Sequence, residues 1–86
     1  MAEHKIGRVT HYWAKIGVAG IEVTAGEIQV GDTIRFKGHT TDFTQRLDSM
    51  QVEHGAVTVA RAGDAVGLKV NDHVRDHDEV FKVTEE

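Results

Sequence analysis

Residues 26–38, Gly-Glu-Ile-Gln-Val-Gly-Asp-Thr-Ile-Arg-Phe-Lys-Gly, set two apolar–polar alternations on either side of a Gly-Asp turn and end on a glycine. In the second alternation Ile34 and Phe36 fall on one face, and Arg35 and Lys37 on the other. That period of two belongs to a half-buried strand. Gly31 allows the turn a positive φ, and the Asp32 side chain can bond back onto it. Gly-Asp or Gly-x punctuation bounds nearly every other strand candidate, so this stretch predicts an all-β fold.

The remaining segments read the same way. Residues 5–13 form a first strand rich in β-formers. Residues 15–24 form a second, in which Ile16 and Val18 share one parity and Ile21 and Val23 the other. The change near Gly20 predicts a β-bulge or a strand covered on both sides. Short strands at 27–30 and 33–37 precede a long one, Phe43 to His54, whose parity slips at Asp48-Ser49 and predicts a bulge or bend. Val57-Thr58-Val59 is a short edge piece. Residues 65–70 point Val66, Leu68 and Val70 inward, 71–78 are a polar connection, and Val80–Val83 close the set. No window has sustained helical spacing. Short strands with glycine turns predict a small, closed or nearly closed antiparallel β-barrel. It is a single domain over 1–86, structured over about 5–84 with frayed ends.

Eighty-six residues support one modest core without metal or disulfide help, and the absence of cysteine excludes a disulfide framework and a thiolate zinc site. No apolar run reaches the ~18 residues of a spanning helix and no leader precedes the domain, so a soluble cytoplasmic protein is expected. The net charge of −4 counts against a general nucleic-acid coat protein while leaving room for a local basic patch.

An ordered series of short motifs runs through the chain: Ile6-Gly7-Arg8-Val9, Ile16-Gly17-Val18-Ala19, Gly26-x-Ile28-x-Val30-Gly31-Asp32-x-Ile34, Ala62-Gly63-Asp64-x-Val66-Gly67-Leu68 and Asp78-x-Val80. The series resembles domain 2 of the translational GTPases, the β-barrel that follows the nucleotide-binding domain in elongation factor Tu. It is more similar still to small stand-alone translation elongation factor-like proteins and to the C-terminal barrel of U32 collagenase-like peptidases. The resemblance implies a Greek-key-type barrel of six to seven strands with no chemistry of its own. In elongation factor Tu this barrel helps to hold the aminoacyl end of transfer RNA, with a strand similar to Asp48–Gln51; Ser49 stands where that family carries a glutamate. His77 occupies a last turn where relatives usually have glycine.

Several constellations are candidate sites. Gly26-x-x-x-x-Gly31-Asp32-Thr33 nearly spells a phosphate loop, but Asp32 at the lysine position would repel phosphates and a strand follows instead of a helix; no GTP or other cofactor is expected. His73 and His77 have metal-ligand spacing only on a helix, and their surroundings read as a solvated acidic turn, so no metal is expected. Ser49, Asp48 and His54 cannot converge from alternate faces of one strand, and the chain is expected not to be an enzyme. His11, Tyr12, Trp13 and Lys15 stand together at the tip between the first two strands, where aromatics beside a cation can stack bases, anchor a protein or cover the barrel's end. Arg35, Lys37 and Arg46 lie on outward parities and extend a basic face or simply solvate it. Two functions follow: a binding module for RNA or a ribonucleoprotein, and a protein-interaction or accessory module working with a U32-type peptidase.

Overall fold

The computed structural model describes residues 2–52 and 55–84, so Met1, Glu53, His54, Glu85 and Glu86 lie outside the described residues. The strands are β1 (Ala2–Trp13), β2 (Val18–Val23), β3 (Glu27–Gln29), β4 (Thr33–Lys37), β5 (Asp42–Arg46), β6 (Met50–Val52), β7 (Gly55–Val57), β8 (Val59–Arg61), β9 (Ala65–Lys69) and β10 (Glu79–Thr84). Eight of them form an antiparallel sheet in the order β5-β4-β10-β1-β2-β9-β6-β7, and β3 and β8 form a separate ribbon. All-β architecture stands, but the sheet is not closed into a barrel, and the ten strands among the described residues are more numerous than the expected six to seven.

The connectivity explains why. Only Leu47-Asp48-Ser49 separate β5 from β6, yet these strands sit near opposite ends of the sheet order. The four steps from Arg46 to Met50 reach at most about 14 Å. The sheet therefore curls until its two ends face each other. The expected bend at Asp48-Ser49 is in fact the point where one long strand breaks in two and changes sides. Val57–Val59 divides in the same manner between β7 and β8.

Other bonds bridge the seam. The buried Gln45 side chain on β5 donates to the Lys69 carbonyl (2.8 Å) and accepts from the Asn71 amide (2.7 Å), joining β5 to the end of β9. Leu47 exchanges backbone bonds with the Gly31-Asp32 turn, and Val30 donates to the Thr58 carbonyl. Gln45→Leu is expected to remove both part-buried bonds, to the Lys69 carbonyl and from the Asn71 amide, and to lower stability by about 1 kcal/mol. The Asn71 amide should also lose hydrogen-exchange protection while the β1–β2 amides keep theirs; unchanged protection at Asn71 would show that the side-chain bridge does not hold the seam.

The 26–38 stretch has the turn and the inward face that its alternation predicts. Gly31 has φ 101°, and the Gln29 amide donates to the Asp32 carboxylate at 2.9 Å. Ile34 and Phe36 are fully buried. In β2 the bulge expected near Gly20 lies on the partner strand, where pairing shifts between Val9 and His11, and Ala19, Gly20 and Ile21 are buried in succession. The 71–78 connection is not helical, but it inserts Val74 into the core and holds His77 at φ 74°.

Candidate functional site

The β1–β2 hairpin turns over residues 14–17, where the Ile16 and Gly17 amides donate to the Trp13 carbonyl at 3.2 and 2.9 Å. The Val70 amide donates to the Gly17 carbonyl at 3.0 Å and ties the turn to the end of β9. Alternation along β1 then sorts the aromatics. Tyr12 is half-buried against the core, with the His73 ring edge-on at 4.7 Å. His11 and Trp13 face outward, their rings edge-on at 4.4 Å. Trp13 leans over Gly20, where an added Cβ would lie 3.2 Å from its ring, yet 45% of it remains exposed. Lys15 and Ile16 occupy the exposed turn.

Register creates a hollow beside Trp13. His11 pairs with Gly20, Gly20 with Gly67, and Gly67 with Gln51, so the middle of this outward row has no side chains. The result is a groove of about 360 Å³ walled by Thr10, Trp13, Gln51 and Ala65. An adjoining hollow of about 280 Å³ shares Gln51 and Gly67 and adds Val18, Ser49 and Lys69. Ser49 is thus brought near the aromatic end of the sheet, although it stands well away from it in sequence. Gly67 and Gln51 fall within the family motifs but, like Lys69, are not among the surface residues the sequence points to. The available signal was a glycine in each of two strand interiors, which weakens a strand and often marks a close approach.

Arg35 does not join this surface. Arg35 pairs with Phe81 across β10, and Phe81 with Lys5, eight residues along β1 from Trp13. That separation is about 26 Å at ~3.3 Å per residue. Lys37 is in register with Glu79 and through it with Arg8, while Arg46 lies on β5, 3.9 Å from Asp48. Arg35 is also occupied. Its Nε and Nη2 donate to the two Asp42 carboxylate oxygens at 2.8 Å, and Nη1 donates to Glu3 at 3.0 and 2.8 Å. These bonds, Asp42 first and Glu3 second, raise the guanidinium pKa further, and Arg35 in turn holds the Asp42 carboxyl below its usual range.

A folded-state pKa below the unfolded one means that the unfolded chain takes up the proton first as pH falls. The contribution of Asp42 is therefore present above the ordinary aspartate range and lost as pH drops through the depressed value. The difference in melting temperature between wild type and Asp42→Asn should shrink from about pH 5 to pH 2. A constant difference over that range would show that ionisation of Asp42 contributes nothing.

The other constellations separate. His73 rests on Tyr12 and His77 sits in its own turn, so no helical face presents both. Among the described residues no group of three or more His, Cys, Asp or Glu is placed to hold a metal ion. Residues 26–33 form β3 and a turn into β4, with no helix following. The Ser49–Asp48–His54 arrangement includes a residue outside those described. No helix is long and apolar enough to cross a membrane among the described residues.

The family model for elongation factor Tu domain 2 matches residues 17–78. Over 82 residues the chain is 39% identical to an uncharacterized protease of Methanocaldococcus jannaschii, covering 94% of this chain and 20% of that one. It is 30% identical over 78 residues to a collagenase of Porphyromonas gingivalis, covering 90% of this chain and 22% of that protein. The chain thus spans about a fifth of the curated relatives it matches. The crystal structure of the C-terminal domain of a Geobacillus thermoleovorans protein assigned to the U32 peptidases superposes with TM-score 0.86 and 25% identity, over 95% of this chain and 93% of that domain.

Proposed function

The chain belongs to the elongation factor Tu domain 2 family, and we propose that it acts as a non-catalytic accessory module that docks onto a protein, a peptidase of the U32 kind. The observation that carries this reading is the end-to-end correspondence with the C-terminal domain of a U32 peptidase, which leaves almost none of either chain over. The electrostatics support a protein partner over RNA. Arg35 is engaged by two carboxylates, Arg61 lies 3.4 Å from Glu27 and Arg8 3.2 Å from Glu22. Cations already paired have less to gain by displacing counterions from a phosphate backbone.

The test titrates the purified chain with the U32-type peptidase of its source organism and, separately, with bulk transfer RNA across a salt series, following Trp13 fluorescence and sedimentation. A saturable complex with the peptidase, with no salt-sensitive response to transfer RNA, is the expected result. Saturable, salt-sensitive RNA binding without a peptidase complex would replace this reading with the nucleic-acid one.

A further inference from the structure

We infer that the tip of the β1–β2 hairpin is the docking element, and that it seats on a protein surface offering an apolar socket edged by carboxylates. This inference rests on the protein-partner reading above and assigns its surface. The first observation is exposure. Ile16 is 62% exposed and Trp13 45%, and they are three residues apart on one tight turn. The other exposed large apolar residues, Val30 and Val59, are lower at 38% and 37% and belong to the β3–β8 region. A tryptophan beside an aliphatic side chain at a projecting point is the composition of an interface anchor.

Charge supplies the second observation and names the partner's chemistry. Residues 4–21, the part of the hairpin between Glu3 on β1 and Glu22 on β2, contain Lys5, Arg8 and Lys15 and no carboxylate, whereas the other 68 residues hold seven cations and all fourteen carboxylates. An acidic chain thus carries one segment of opposite sign, and the tip lies within it. Arg8 is paired with Glu22, while Lys15 makes no ion pair among the described residues. Asp72, in the loop whose His73 leans on Tyr12, accepts the amide of His73. An unpaired ammonium between two exposed apolar side chains is complemented by an apolar recess with carboxylates at its rim, which would steer approach and fix orientation. A phosphate backbone would complement the cation without supplying the recess.

The third observation is pre-organisation. Bonds from Ile16 and Gly17 to Trp13 close the turn, the bond from Val70 holds it to β9, and His11 and Gly20 bracket the indole. A held anchor loses little conformational entropy when it binds.

The experiment measures binding of the full chain to the source organism's U32-type peptidase for wild type, Ile16→Asp, Lys15→Glu and, as an equivalent change on the other apolar patch, Val59→Asp. Because the tip side chains stand in solvent, all variants should keep the wild-type amide spectrum and melting temperature. Ile16→Asp should weaken binding by about tenfold or more. Lys15→Glu should slow association and flatten its salt dependence, and Val59→Asp should bind as wild type does. Wild-type affinity in both tip variants overturns the inference and leaves the protein-partner reading intact. Failure of wild type to bind the peptidase removes that reading itself. Tip-dependent self-association, or tip-dependent capture by transfer RNA, in place of peptidase binding would give the tip a different occupant and also overturn the proposal.

Discussion

Replacing Phe36 with alanine should cost the folded chain about 4 kcal/mol, the largest loss expected from a single side chain here. Phe36 is fully buried on β4, a strand held between β5 and β10. Its ring stacks on Phe43 at 5.1 Å with the planes 26° apart, and its backbone is in register with Val80, also fully buried. Truncation would empty a space that three strands enclose and strip Phe43 of its ring partner. A domain of this size is stable by roughly 4–13 kcal/mol in total, so the variant would lose between about a third and all of it. Phe36→Leu keeps most of the volume and should lose less than about half as much. Urea unfolding of the two variants checks the ordering. A loss below about 1 kcal/mol for Phe36→Ala would mean that the surrounding strands collapse into the space.

Gly7→Ala should destabilise by about 3 kcal/mol, for the opposite reason. Gly7 is buried on β1, where the strand pairs with Val80 on one side and Val23 on the other, next to the shift in register after Lys5. An added Cβ would run into the carbonyl oxygen of Glu22 and come within 3.2 Å of the Val23 Cα. Those neighbours are backbone atoms of a central strand, so relief requires β1 and β2 to separate. Gly67→Ala is the comparison, since its Cβ would meet nothing nearer than 3.5 Å. Alanine there should be neutral or slightly stabilising, because glycine in a strand interior carries an entropic cost. Thermal unfolding of both variants distinguishes packing constraint from conformational freedom; equal effects would remove the steric argument at Gly7.

Of the candidate surface, the sequence placed His11, Tyr12, Trp13 and Lys15 together because they are neighbours on one strand and its turn. It could not place Ser49 beside the same surface, nor expose the row of Gly20 and Gly67. Those depend on β2, β9 and β6 lying side by side, with residues far apart in the chain brought into register. The basic residues make the same point. Parity put Arg35 and Lys37 on one face, but only the pairing of β4 with β10 and of β10 with β1 set Arg35 at the far end of β1 from Trp13.

What the sequence determined by itself was the kind of structure: strands, their inward faces and their turns. Alternation and turn chemistry act over two to four residues, so burial of Ile34 and Phe36, the positive φ of Gly31 and the Asp32 bond could be read from neighbours alone. Closure was decided by the tertiary structure. Whether a curled sheet joins its ends depends on how the long-range pairs share a limited set of backbone donors and acceptors. Here the chain crosses the seam through Leu47–Ser49 and bridges it with the side chain of Gln45, a contact 24 and 26 residues removed from its partners that no local pattern announces.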